Sequence, residues 1–186
     1  MPYFVIRPAY ATINASRNRG VMFHAAILTI SDKGSQGSRQ DKSGGVIREC
    51  LSAVDSRVAE YAIVPDEADI IAARLAEWAD RGDIDLVLTT GGTGLALRDT
   101  TPEATLSILD RVAPGFTEAM RTETFKITPH AILSRAAAGT RKKCLIINLP
   151  GSPKAVKECL EVILPTIPHA IEIIKGEVTE HTTPHD

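Results

Sequence analysis

The stretch Asp85-Leu-Val-Leu-Thr-Thr-Gly-Gly-Thr-Gly-Leu-Ala-Leu-Arg-Asp-Thr-Thr-Pro-Glu-Ala-Thr105 decides the fold. It reads as a buried strand, a glycine turn, a short loop with one carboxylate, and a helix start. The strand is the apolar run Leu86-Val87-Leu88. Gly91, Gly92 and Gly94 let backbone approach a ligand where a Cβ would clash. Thr101 is expected as the N-cap, Pro102 as the first helical residue, and Glu103 in the first turn. A glycine loop between strand and helix can point free backbone N–H groups at an anion. Asp99 stands among those donors, where a bare anion site would not want a second negative charge. An acidic residue beside a phosphate site implies a metal ion between the two. The pairing makes this chain a candidate nucleotide or phosphate enzyme.

Neither common phosphate motif accounts for the loop. A P-loop needs a lysine after its last glycine, and none follows Gly94. The dinucleotide fingerprint needs a third glycine at position 97, which is Leu97. Taken alone, Gly91 to Gly94 is equally well read as a tight turn.

Working outward, Ile84 to Thr90 becomes the third of four strands. Ala25 to Ser31 is the first, followed by a polar, glycine-rich loop over Asp32 to Lys42. Ser43 to Ala53 reads as a helix with Ile47 and Leu51 on one face. Val58 to Val64 is the second strand, interrupted by Glu60 and ended by Pro65. Asp66 and Glu67 open a helix whose core face is Ile71, Leu75 and Trp78, and Gly82 closes it. Helices are expected over Pro102 to Asp110, Pro114 to Phe125 and Thr128 to Arg135. Lys143 to Asn148 is the fourth strand, running into Leu149-Pro150-Gly151-Ser152-Pro153, a second turn with an N-cap and proline signature. The next helix buries Val156, Leu160 and Ile163, Pro165 breaks it, and a last helix runs to Lys175.

Strands alternate with helices, and the strands are continuous apolar runs. That pattern predicts an α/β fold with a mostly parallel central sheet covered on both faces. In such folds ligands bind beyond the carboxyl ends of the strands. The topology puts Ser31-Asp32, Pro65-Asp66-Glu67, the glycine loop with Asp99, and Asn148 to Ser152 on that one rim. Residues 22–176 are expected as one domain, with an extension over 1–21 and a polar tail over 177–186. The extension lacks a signal-peptide pattern and is expected to be flexible or to follow an over-called start codon ahead of Met22.

Composition narrows the function classes. The 186 residues are 44% hydrophobic and 24% charged with a net charge of −2, ordinary for a soluble domain. No nucleic-acid stripe or membrane patch is evident, and 4% aromatic content argues against a base-stacking surface. Cys50, Cys144 and Cys159 form no CxxC or Cys/His cluster, so zinc is not expected, and they suit reduced thiols in the cytoplasm. The histidines show no metal-ligand spacing.

Several motifs in order carry a specific resemblance. ILTISDKGSQGSRQDKSG (27–44), PDE (65–67), TTGGTGLALRDTTPEAT (89–105), AILSR (131–135) and NLPGSPKAVKECL (148–160) resemble the molybdopterin adenylyltransferases of molybdenum-cofactor synthesis. The likeness runs from about residue 25 to 175 without a large gap. It implies a three-layer α/β/α fold, a homotrimer, and transfer of AMP from Mg-ATP to the terminal phosphate of molybdopterin. It also implies transient contact with the molybdenum-inserting enzyme. By position, Asp66 and Asp99 match the two carboxylates of that reaction, as Mg²⁺ ligands directly or through water. Gly91, Gly92, Thr93 and Gly94 match the loop at the phosphates; Ser134 and Asn148 match polar residues on the pterin side. Pro150, Gly151 and Ser152 match a second ligand-facing turn, and Ser31 and Asp32 line the same pocket.

Blander roles compete for some of these residues. Without the resemblance, Asp66 reads as a helix-dipole carboxylate, Asp99 as a cap, and Arg98 as an exposed surface charge rather than a phosphate partner. At the level of function, a non-catalytic molybdopterin-binding relative is the main alternative. The molybdenum-inserting enzyme shares the fold but carries additional domains.

Overall fold

The computed structural model describes residues 22–177. The expected extension, and all of the expected tail beyond Glu177, lie outside these residues. The described chain forms a six-stranded sheet in the order β2-β1-β3-β6-β5-β4. Its strands are β1 (Phe23–Ile30), β2 (Ser56–Val64), β3 (Leu86–Thr90), β4 (Arg111–Val112), β5 (Ala138–Arg141) and β6 (Cys144–Leu149). β1 pairs in parallel with β2 and β3, and β3 with β6, whereas β5 runs antiparallel to β6 and β4 to β5.

The pleat explains the three layers. Successive strand residues point to opposite faces. Ile27, Leu86, Leu88, Leu145 and Ile147 meet one core, while Leu28, Val87 and Ile146 meet the other. The first core is covered by α2 (Ser43–Leu51), α5 (Pro114–Phe125), α6 (Pro153–Ile163) and α7 (Ile167–Lys175). The second is covered by α3 (Ala68–Arg81), through Ile71, Leu75 and Trp78, and by α4 (Thr101–Leu106), through Ala104. Both faces are dry, which is why the central strands read as unbroken apolar runs.

The departures from expectation have local causes. β2 is an edge strand with alternating burial, and Glu60 on it pairs at 2.6 Å with Arg81 of α3. The charge that interrupts the apolar pattern is therefore a surface contact. β1 starts at Phe23 and not at Ala25. β4 and β5 are additional to the four expected strands: two and four residues long, with Gly139 in the second, they are too short for a periodicity signal. The helix expected to reach Asp110 stops at Leu106, and β4 follows at Arg111. Within the expected loop, Asp32–Ser35 forms one helical turn, α1, capped by the Ser31 hydroxyl accepting from the Gly34 N–H at 3.1 Å. The helix expected over Thr128 to Arg135 is a 3₁₀ segment, Pro129–Leu133, capped by Thr128.

Candidate active site

Three strand ends meet at the glycine loop. Gly91 and Gly92 both adopt positive φ, 102° and 62°, a region that disfavours any other residue. A Cβ on Gly91 would overlap the Ile30 carbonyl oxygen at the end of β1, and one on Gly92 would overlap the Thr101 hydroxyl. The end of β6 is tied in as well: the Thr90 hydroxyl donates to the Pro150 carbonyl at 2.7 Å. The Ser43 hydroxyl of α2 donates to the Gly151 carbonyl at 2.7 Å, and Ser152 caps α6 by accepting from the Ala155 N–H at 3.2 Å. The glycine loop and the Pro150-Gly151-Ser152 turn are thus neighbours, as expected of loops that leave one rim.

Asp66 and Asp32 brace each other across the ends of β1 and β2. Asp66 Oδ2 accepts from the Asp32 N–H at 3.0 Å, and Asp32 Oδ1 accepts from the Asp66 N–H at 3.1 Å. Burial, followed by repulsion from Asp32 and Asp99, raises the Asp66 carboxyl above its ordinary range. Asp32 moves the other way, because the Arg98 guanidinium grips both its oxygens at 2.9 Å. Asp99 lies on the far side of the loop, its Oδ2 accepting from the Ala96 N–H at 2.9 Å. It therefore closes its own turn and does not cap α4. The expected cap, Thr101, is instead the first helical residue. Among the described residues, the hydroxyls of Thr100 and Thr101 are the buried side-chain oxygens and nitrogens left without a partner. The Thr101 hydroxyl faces Gly92, beside Asp66.

Arg135 carries more of the loop than its place in a sequence motif suggests. Its backbone N–H donates to the Thr93 carbonyl at 2.9 Å and its Nε to the Gly94 carbonyl at 2.7 Å. The rest of the guanidinium bonds the Asp99 carbonyl and the Glu103 carboxylate. One side chain thus pins both ends of the segment Leu95 to Arg98.

Two cavities open on either side of this loop and share Gly151. The first, about 470 Å³, is lined by Gly92, Thr93, Gly94, Asp99, Ser134 and the Pro150-Gly151-Ser152 turn, with Met120, Leu133 and Cys159 among its apolar walls. The second, about 410 Å³, is lined by Ser31, Asp41, Lys42, Ser43 and Gly91. Asp32 and Asp66 line neither cavity; Asp66 stands against Gly92, and Asp32 is hydrogen-bonded to it.

Asn148 departs from its expected place. It is fully buried and lines neither cavity. Its Oδ1 accepts from the Ala137 N–H at 3.1 Å, and its Nδ2 donates to Thr89 and Thr105 at 3.0 and 2.9 Å. The amide is committed to joining β3, α4 and the residue just before β5, so no group is left to meet a ligand. Asp41, by contrast, carries no signal in the sequence. It accepts from the hydroxyls of Thr29 and Tyr61 at 2.6 and 2.7 Å and from the Gly44 N–H at 3.0 Å. A lone aspartate in a polar loop does not announce this, because its partners come from β1, β2 and α2.

A magnesium ion here would need substrate phosphates to complete its shell. Among the described residues, no three His, Cys, Asp or Glu side chains converge into a ready-made metal cage. Mg²⁺ is commonly held by one or two carboxylates plus substrate phosphates and water. Asp66 and Asp99, with the unpartnered Thr101 hydroxyl between loop and helix, offer that partial donor set.

Comparison with known proteins identifies the family. The sequence model of the family described as "Probable molybdopterin binding domain" matches residues 26–169, and the chain belongs to that family. The molybdopterin adenylyltransferase of Helicobacter pylori J99 is 49% identical over 155 residues, which is 82% of this chain and 88% of that protein. The molybdopterin adenylyltransferase of Escherichia coli K12 is 41% identical over 168 residues, covering 83% of this chain and 86% of that one. Among solved structures, the molybdopterin biosynthesis enzyme MoaB of Thermus thermophilus superposes with a TM-score of 0.79 at 53% identity, covering 83% of this chain and 98% of that chain.

Two variants test the framework. Asn148→Ala leaves the Ala137 N–H unpartnered under the loop and should cost about 2–4 kcal/mol in urea unfolding. An unchanged midpoint would contradict the bracing role. Burial pushes the Asp41 carboxyl up, but hydrogen bonds from Thr29, Gly44, Tyr61 and Ser43 outweigh it and hold the group below its usual 3.8. A lowered folded value stabilises above the unfolded value and is lost as pH falls through the folded one. Asp41→Asn should therefore be less stable at neutral pH and lose less stability than wild type below about pH 4. Parallel acid-denaturation curves would refute this.

Proposed function

We propose that this chain adenylylates molybdopterin, transferring AMP from ATP and releasing pyrophosphate. The observation that carries the reading is the pair of cavities sharing Gly151, with Gly91 lining one, Gly92 to Gly94 and Asp99 lining the other, and Asp66 against Gly92. Two substrates, one in each cavity, would meet at their phosphates beside Gly151. Molybdopterin occupies the first cavity, beside Ser134, and the nucleotide enters through the second, beside Ser31 and Ser43. A terminal phosphate oxygen of molybdopterin attacks the α-phosphorus of ATP. The bond from that phosphorus to the bridging oxygen breaks, and the electron pair leaves with pyrophosphate. No covalent enzyme intermediate is needed, so catalysis is positioning and charge stabilisation.

The chain's own groups divide that work. The N–H groups of Gly92, Thr93 and Gly94 face the transferring phosphate, while the Gly91 N–H is taken up by the Leu149 carbonyl. Arg135 holds the loop rigid, and Ser152 and Gly151 border the incoming substrate. Asp66 and Asp99 would hold Mg²⁺, which when bound supplies positive charge to the phosphates. The same resemblance supports a homotrimer in the cytoplasm that hands its product to the molybdenum-inserting enzyme. Among the described residues, no helix is long and apolar enough to cross a membrane.

Purified protein with molybdopterin, ATP and Mg²⁺ should yield adenylylated molybdopterin and pyrophosphate, and EDTA should stop it. Asp66→Asn and Asp99→Asn should each lower turnover at least a hundredfold or so while molybdopterin still binds. Binding without product in the wild type would instead indicate the non-catalytic relative. Sedimentation equilibrium should give three times the chain mass; a single-subunit mass at micromolar concentration would defeat the trimer.

A further inference from the structure

The Gly94 to Asp99 segment is built from fixed ends and one free arm. Arg135 holds the carbonyls of Gly94 and Asp99, and Asp99 in turn holds the Ala96 N–H. Between those anchors Leu95 and Leu97 are exposed, the latter fully, so no buried side chain ties Arg98 down. The Arg98 side chain is 61% exposed and reaches back to Asp32, which is 38% exposed. Its backbone is thus held still while its guanidinium is free to change partner.

The pair it makes is easily exchanged. An ion pair in contact with water contributes little, because solvent screens it and two side chains must be ordered to form it. Asp32 does not depend on Arg98 for its place, since its Oδ1 still accepts from the Asp66 N–H at 3.1 Å and its own N–H donates to Asp66. Losing the guanidinium would leave Asp32 solvated and hydrogen-bonded, not stranded. A pyrophosphate group competes strongly for the same fork: it carries several charges and presents paired oxygens that match two parallel N–H donors. Arg98 itself lines neither cavity, but its partner Asp32 directly follows Ser31, which lines the second cavity, where the nucleotide enters.

We infer that Arg98 is a partner-exchanging residue, paired with Asp32 in the free protein and with the departing pyrophosphate during transfer. This rests on the adenylyl-transfer reading and deepens it. As the bond between the α-phosphorus and the bridging oxygen breaks, the electron pair and new charge settle on that oxygen. Arg98 then meets the charge with two donors already held nearby. Asp32 is the parking place that keeps the guanidinium extended beside the site, and the guanidinium neutralises this carboxylate next to Asp66 until substrate arrives.

The test uses inorganic pyrophosphate as a probe, in titration calorimetry on the full chain, together with turnover. Arg98→Ala should weaken pyrophosphate binding by about ten- to a hundredfold, the loss expected for hydrogen bonds to a charged group. It should lower kcat while leaving the KM for molybdopterin unchanged. Arg98→Lys should recover only part of the affinity, because a point charge cannot offer the fork. Asp32→Asn should bind pyrophosphate at least as tightly as wild type, since the competing partner is removed. If Arg98→Ala binds pyrophosphate like the wild type, or if Asp32→Asn weakens it as much as Arg98→Ala does, the inference fails. In either case a wild-type protein that still makes adenylylated molybdopterin leaves the proposed function standing. A wild type that makes none takes both down.

Discussion

Everything at this site depends on how closely backbone passes backbone at Gly91. Its φ of 102° and the space a Cβ would need against the Ile30 carbonyl leave glycine as the residue that fits. That contact brings the end of β3 against the end of β1, and the Thr90 bond to the Pro150 carbonyl brings β6 alongside. Once the three ends touch, the loops that follow have little freedom. The turn at Gly151 lies against Gly91, and two cavities form on either side of the junction. A parallel sheet makes this simple, because all its loops of one kind leave from the same edge.

Holding negative groups near a phosphate site is the second constraint. Asp32 and Asp99 repel Asp66, and together with burial they raise its carboxyl above the ordinary range. The fold manages this with hydrogen bonds more than with burial of counter-charges. Asp32 and Asp66 exchange backbone N–H bonds, Asp99 accepts from Ala96, and Arg98 neutralises Asp32 from the solvent side. Arg135 has a different task although it is the same residue type. Its donors go mainly to carbonyls, so it fixes the shape of the loop and leaves the charge balance to Arg98.

The architecture was legible for simple reasons. Unbroken apolar runs such as Leu86-Val87-Leu88 imply a strand covered on both faces, and the two cores confirm that alternate residues are buried on opposite sides. Gly82 at φ 81° and Ser152 with its bond to Ala155 end and begin helices where residue chemistry says they should. The two short strands β4 and β5 were not legible. β4 pairs with β5 from far along the chain, Arg111 opposite Thr140, which no local pattern records, and β5 forms a hairpin with β6 too brief to give a periodicity signal.

For the site, the division runs between backbone chemistry and side-chain partners. Glycines, the Pro150 turn and the presence of carboxylates on one rim follow from the sequence alone, because strand alternation and turn residues dictate which loops share an edge. What each side chain does there does not follow. Asn148 sits at the end of a strand near the rim, yet its amide is taken up by Thr89, Thr105 and the Ala137 N–H. Arg135, Asp41 and the unpartnered hydroxyl of Thr101 became apparent only when distant segments were brought together. A hydrogen bond is specified by position to a few tenths of an ångström, and that precision belongs to the packed tertiary structure rather than to any local run of residues.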